Sequence, residues 1–377
     1  MSGGLLLARG ARWARLAAQA MRPPPSPPFL ILFVTSQCNM RCPHCFAWPF
    51  LNRRDDLTSS ELARLAASLG PVENLYISGG EPFLRRDLAA VCRRFVEADA
   101  VRRLYITTNG SRPDRVADVV EAILASPAPE LLVIEVSLDG LPVFHDTFRD
   151  LPGAFARAMA SIDALAGIRR RDARLRIHVV STATAANVDE IERLSRFLFE
   201  RCPAVEHHDL ALLRGESRSP DLAPPDLDRY RELAASVGRL WAPKDGARAG
   251  AIVDPMLQWA KVETARAQRQ VLPCLAGRLV GVVFANGDVG ICEGRPPIGN
   301  LRSRTFPEIW TSREADEARA SVARRECHCT GEAFLWPSLA FHPVSLVRAL
   351  IGSRAWRRPA TPRGGEPAGR TGGGPAS

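Results

Sequence analysis

"FLILFVTSQCNMRCPHCF", residues 29–46, runs six apolar residues directly into a loop that holds Cys38, Cys42 and Cys45. The apolar half does not alternate with polar residues, so it predicts a strand buried on both faces, as in a parallel sheet covered by helices. The thiols then sit just past the strand's C-terminal end. The chain carries nine cysteines and no signal-peptide pattern, which points to metal ligation in a reducing compartment rather than to disulfides.

Downstream, the same kind of strand recurs. "NLYISGG", "RLYITTNG", "LLVIEVSLDG", "RLRIHVVST" and "HHDLALLRG" alternate with helical patterns at 58–69, 86–98, 113–125, 153–167 and 187–200. The repetition predicts an α/β fold, a partial (β/α)6 TIM-type barrel over residues 29–215. Each polar cluster falls at a strand's C-terminal end: the thiol triad, then Ser78-Gly79-Gly80-Glu81-Pro82, then Thr107-Thr108-Asn109-Gly110, then Ser137 and Asp139, then Ser181 and Thr182, then Arg214. That rim is where such barrels place their active sites.

The formal charge of +9 raises a nucleic-acid reading, but residues 1–28 and 352–377 each carry +4 and leave the body nearly neutral. A basic cleft for nucleic acid is therefore not expected. The N-terminal extension 1–28 reads as a short basic helix ended by Pro23-Pro24-Pro25, either solvated or touching a membrane surface. The apolar stretch 336–351 is broken by Pro337, His342, Pro343 and Arg348, so no ordinary transmembrane helix is expected. Residues 352–377 read as a disordered tail, and the setting as cytoplasmic with a peripheral membrane contact as an option.

Three thiolates spaced C-x3-C-x2-C in one loop can each bind a different iron of a [4Fe-4S] cube and leave the fourth iron open to an exogenous ligand. A closed zinc site would need a fourth donor, and His44 is wedged between Pro43 and Cys45. With this motif after the first barrel strand, the chain resembles the radical S-adenosylmethionine superfamily. The resemblance implies that S-adenosylmethionine occupies the open iron, that Gly79, Gly80 and Glu81 of "SGGEP" hold its methionine amino group, and that Ser137 and Asp139 of "VSLDG" contact the ribose. Asn109, together with the backbone near Leu212 and Leu213, is a further cofactor contact on the same grounds. Arg214 is read either as a substrate contact or as the partner of a barrel carboxylate. Cys92 and Cys202, isolated in helical or helix-ending patterns, are expected to be structural.

The second thiol group spans "CLAGRLVGVVFANGDVGIC" and "CHC". Asn286-Gly287 signals a hairpin turn that brings Cys274 and Cys292 together, and Cys327 and Cys329 can complete a four-thiolate site. Such a site can hold zinc. The spacing C-x12-G-x4-C also resembles the twitch or SPASM domain appended to many radical S-adenosylmethionine enzymes, which implies an auxiliary [4Fe-4S] cluster within 271–335. Ala333 stands where related sequences often place another cysteine, so one auxiliary cluster is expected. Residues 216–270 are expected to bridge the two domains.

The resemblance implies an enzyme, oxidoreductase-like or peptide-modifying, that reductively cleaves S-adenosylmethionine to a 5′-deoxyadenosyl radical and takes hydrogen from a substrate. That substrate is a peptide or a small molecule, and an electron donor such as flavodoxin or ferredoxin is implied; the basic N-terminus and the apolar stretch 333–351 followed by "SRAWRR", which resembles an interfacial anchor, add a lipid-linked species. A catalytic side chain is not identifiable from the sequence. The alternative is a non-enzymatic cysteine-rich zinc module used for interaction, which leaves the rim motifs without a purpose.

Overall fold

The computed structural model describes residues 3–98, 101–245 and 249–356. Strands β1 (Phe29–Phe33), β2 (Val72–Ser78), β3 (Val101–Thr108), β4 (Leu131–Ser137), β5 (Leu175–Ala183) and β6 (Val205–Leu212) pair in parallel in chain order. Between them run α2 (Ser59–Ser68), α3 (Leu88–Glu97), α4 (Pro113–Leu124), α5 (Pro142–Phe148) with α6 (Ala154–Arg169), and α7 (Val188–Arg201). The six expected strand-helix repeats are therefore present as a partial barrel, with α5 as an addition the periodicity did not suggest. Leu30 and Leu32 of β1 face the helical layer, while Phe29, Ile31 and Phe33 face the other side. This two-sided burial is why the strand contains no polar residue.

The hairpin is not a detached module. Its first strand, β7 (Val280–Val283), pairs in parallel with β1, and β8 (Asp288–Gly290) and β9 (Gly299–Asn300) follow antiparallel, giving one nine-stranded sheet. Gly287 occupies the turn at φ +90°, the left-handed conformation that favours glycine. After the hairpin come α10 (Phe306–Trp310), opened by a Thr305–Glu308 capping box, and α11 (Arg313–Ala323). Residues 216–270, expected only to bridge, form two long helices, α8 (Leu227–Asp245) and α9 (Ala249–Ala267), the first packed on α7 and β6.

The reading of the N-terminal segment as solvated needs correction. The N-terminal helix α1 (Gly3–Met21) is docked rather than solvated: Leu16 and Ala20 are buried, and Arg12 and Arg15 both pair with the buried carboxylate of Glu73. A buried acid at the base of β2 calls for cations, and the helix supplies them. At the other end, α12 (Glu332–Phe341) is a buried plug. The Phe29 ring lies 5.4 Å from Trp336 and 5.8 Å from Phe341. Burial on nearly all sides explains its apolar composition. Helix α13 (Pro343–Trp356) extends past the expected boundary at 351, and positions 357–377 of the expected disordered tail lie outside the described residues.

Candidate functional site

The three thiols lie on the loop after β1 and line one cavity of about 240 Å³ together with Gly79, Gly80, Glu81, Asn109, Ser137, Arg149 and Arg214. The structure thus gathers all but one of the sequence-predicted cofactor residues around the triad; Asp139 stands behind the wall. Backbone contacts set the loop's shape. Gly80 N–H donates to Thr35 O at 2.9 Å, Glu81 N–H to Gln37 O at 2.7 Å, and Ser219 N–H to Pro43 O at 3.0 Å. Cys38 N–H donates to Asn52 Oδ1 at 3.0 Å. The thiols form no disulfide, and burial raises all three, Cys42 to about 11. Three sulfurs facing one cavity from one short loop, costly to ionise without a counter-charge, are a donor set that fits a cluster cation.

The two glycines have a packing reason. A Cβ on Gly79 would sit 2.4 Å from Thr35 O, and one on Gly80 2.3 Å from Gln37 O and 2.6 Å from Gln37 C. The end of β2 therefore lies against the backbone of the cysteine loop, an approach only glycine allows. Gly80→Ala is expected to push the loop at Cys38 outward, cost about 1–3 kcal/mol in stability, and lower iron retained after reconstitution. Unchanged iron content and thermal midpoint would refute that account.

Glu81 is 1% exposed and already fully engaged. Its oxygens accept from Phe83 N–H at 3.1 Å, Thr108 Oγ1 at 2.8 Å and Asn109 N–H at 2.7 Å. It ties the ends of β2 and β3 together beneath the cavity. Asn109 is tied in turn to the cysteine loop, with Nδ2 donating to Asn39 Oδ1 at 2.9 Å.

Asp139 is fully buried. Its Oδ2 accepts from Arg149 Nε at 2.9 Å and Oδ1 accepts from Thr182 N–H at 2.9 Å. Burial opposes its ionisation, but the charge of Arg149 prevails and holds the carboxyl below its ordinary range. The guanidinium of Arg149, at the end of α5, reaches the cavity wall instead. Sequence reading missed Arg149; the nearby "VSLDG" was the only hint, since a buried acid at a strand end calls for a cation. His44 stacks on Phe148 at 5.1 Å, and burial lowers its ring to about 4, so it stands neutral beside the triad.

Below Ser137, one layer deeper in the barrel, Glu135, His178 and Asp209 point donor atoms within 4.8 Å of one another. Burial and the charge of Asp209 push Glu135 up to about 8, and burial draws the neighbouring Lys261 down to about 8. This polar floor was not legible in the sequence, because its members sit singly on three strands and a helix. His207 faces Asp209 at 3.0 Å, while His208 is buried on the opposite side against Ser181.

The second thiol group also assembles. Burial pushes the Cys274 thiol well up and the neighbouring Cys329, Cys292 and Cys327 push it further. Gln270 bridges the parts, its side-chain oxygen accepting from Cys274 N–H at 3.3 Å and its Nε2 donating to Cys327 O at 2.9 Å. Arg214 stands between the two thiol groups: it lines the triad cavity, lies over the Phe46 ring at 4.5 Å, and pairs with Glu293 at 2.6 Å. Of its two expected roles, the carboxylate partner is thus present, and it is the residue following Cys292.

A second cavity of about 310 Å³ adjoins the first and shares Phe33, Phe46, Gly79 and Gly80 with it. Phe50 and Phe284 add two more rings, and Arg53 and Arg295 two guanidinium groups, among acidic neighbours that include Asp55 and Glu293. The hairpin, through Phe284 to Asp288, forms one wall. Sequence reading missed this cavity because its rings come from β1, the cysteine loop and the hairpin.

Residues 32–197 match the Radical SAM superfamily and residues 274–330 match SPASM, an iron-sulfur cluster-binding domain. The chain is 29% identical over 306 residues to an AdoMet-dependent heme synthase of Methanosarcina barkeri, covering 74% of this chain and 81% of the relative. It is 27% identical over 329 residues to a Pre-heme d1 synthase of Dinoroseobacter shibae, covering 79% and 76%. In fold it is similar to Streptococcus suis SuiB bound to S-adenosylmethionine, with a TM-score of 0.56 at 17% identity over 79% of this chain and 68% of that one.

Proposed function

The chain belongs to the radical SAM superfamily and is an enzyme with a SPASM domain at its C-terminal end, and on that premise we propose that it oxidises an apolar, carboxylate-bearing substrate of the tetrapyrrole class. The cofactors that follow from the family are a [4Fe-4S] cluster with S-adenosylmethionine and an auxiliary iron-sulfur cluster. Bound in the triad cavity, the cluster with S-adenosylmethionine supplies the 5′-deoxyadenosyl radical, a hydrogen-abstracting agent.

The residues then take these parts. Cys38, Cys42 and Cys45 hold the catalytic cluster, and Cys274, Cys292, Cys327 and Cys329 the auxiliary one. Gly79 and Gly80 bring the end of β2 close enough to present backbone to the methionine end of the cofactor, with Glu81 and Asn109 fastening that rim to β3 and to the cysteine loop. Ser137 faces the ribose. Asp139 acts through Arg149, which it aims at the cavity. The ring-lined second cavity receives the substrate, excludes water, and holds it beside the triad cavity. Loss of a hydrogen atom, one electron and a proton from the substrate would give an unsaturated product, and a cluster held by Cys274, Cys292, Cys327 and Cys329 would supply an acceptor for that electron.

The observation that carries this reading is the cavity of four phenylalanines with Arg53 and Arg295, contiguous with the triad cavity. Planar rings stack on such walls and guanidinium groups bind carboxylates. Two relatives that match along most of their length, both named for heme products, support the substrate class.

The test is anaerobic. After reconstitution the protein is expected to hold about eight irons and to form 5′-deoxyadenosine from S-adenosylmethionine with dithionite. Carboxylated porphyrins should stimulate that formation, and Phe50→Ala should reduce the stimulation while leaving the uncoupled reaction unchanged. Stimulation by peptides and not by any porphyrin would overturn the substrate class. About four irons would reassign the quartet to zinc.

A further inference from the structure

Helix α13 is built inside out. Its inward stripe is small or polar: Ser345, Ala349 and Ser353 are buried, and Gly352 packs so tightly on α9 that a Cβ would lie 2.3 Å from Trp259 Cε2. Its outward face is aliphatic, with Val344 66%, Val347 58% and Ile351 66% exposed and Leu346 beside them. A helix at a protein–water boundary ordinarily shows the reverse. Four of the nine large hydrophobic residues exposed among the described residues lie on this one helix, so the pattern is not the scattered exposure of an average surface.

The same outward face carries Arg348 and Arg354, and the sequence from 333 to 354 contains no acid. Nearby, Trp13 of α1 is half-exposed and donates its indole N–H to Ala340 O at 3.1 Å, three residues before α13 begins. Among the described residues no single helix is long and apolar enough to cross a membrane, and the α12–α13 pair is bent by 106° with α12 buried in the fold. We propose that α13 lies in the interface of an anionic lipid surface, its valine and isoleucine side chains among the acyl chains and its arginines at the headgroups.

Aliphatics flanked by guanidinium groups, with an amphipathic tryptophan close by, have the composition of an interfacial helix. A second copy of the chain suits the face less well, because an isologous contact would bring Arg348 and Arg354 of both copies into one interface with no acid from 333–354 to pair them. Of the two segments with a membrane-surface reading, the C-terminal one is favoured, since α1 spends Arg12 and Arg15 on Glu73. This surface involves neither the thiol groups nor the ring-lined cavity.

The experiment uses the full reconstituted chain and co-sedimentation with vesicles of phosphatidylglycerol and phosphatidylcholine, or of phosphatidylcholine alone. Wild type should bind the anionic vesicles, less so as salt rises. Val344→Asp with Val347→Asp should lower the partition coefficient about tenfold or more at unchanged iron content and thermal midpoint. Arg348→Glu with Arg354→Glu should abolish the preference for anionic lipid. Absence of vesicle binding, or equal binding by the aspartate variant, would overturn the proposal. So would a wild-type dimer that the aspartate variant converts to monomer without vesicle binding. Because the readout is partitioning, it stands or falls separately from the choice of substrate.

Discussion

Replacing Cys42 with alanine abolishes formation of 5′-deoxyadenosine from S-adenosylmethionine, whereas Cys92→Ala leaves it intact. Both thiols are reduced and both are raised by burial, Cys42 to about 11 and Cys92 to about 12, so their titration does not separate them. Placement does. Cys42 lines the triad cavity with Cys38 and Cys45, while Cys92 lies on the inner face of α3 among the leucines and valines of the main core. Removing Cys42 leaves two thiolates for a cube that needs three from the protein, and about four irons should be lost on reconstitution. Removing Cys92 leaves only a small cavity, worth about 1 kcal/mol. Full cleavage activity in Cys42→Ala, measured under dithionite with iron counted in the same sample, would sink the assignment of the triad.

The largest loss of stability is expected from Asp139→Ala. The change leaves Arg149, with its side chain only 8% exposed, without its partner, and an uncompensated buried charge costs about 3–5 kcal/mol. It also removes the acceptor for Thr182 N–H, so the ends of β4 and β5 loosen together. Because the carboxyl is held below its ordinary value, its stabilising contribution is present above the unfolded-state value near 3.8 and is lost as pH falls through the lower folded-state value. Wild type and variant should thus converge in denaturant midpoint only in strong acid. Asp139→Asn should fall between them, since it keeps acceptor capacity without the charge. A loss below about 1 kcal/mol at neutral pH, within the range of an exposed ion pair, would show that Arg149 finds another partner or leaves the interior.

These two experiments separate what a linear reading can and cannot reach. Cys42 was identifiable because cluster chemistry needs thiolates close together, and a short loop supplies them within the sequence itself. Arg149 was not, because its importance comes from Asp139, and the approach of the two is set by α5, a short helix with no periodic signal to announce it. The same holds for Gln270, which holds Cys274 four residues on and reaches Cys327 across 57 positions of sequence. The glycines of "SGGEP" were seen as a cofactor motif, but their contact with the backbone of Thr35 and Gln37 became visible only in three dimensions.

By itself, then, the sequence determined the strand-helix order, the two thiol groups and the placement of the polar rim. Each of these rests on local regularities: two-sided burial, helical periodicity and ligand spacing. Tertiary structure decided what depends on distant segments meeting. It joined β7 to β1 so that the hairpin extends the barrel sheet, and it gathered phenylalanines from three elements into a second cavity. It seated α1 on Glu73, and it divided one apolar stretch into a buried plug, α12, and an outward-facing helix, α13. Both halves of that stretch are predominantly apolar; which side of a helix meets water depends on the neighbours the fold provides.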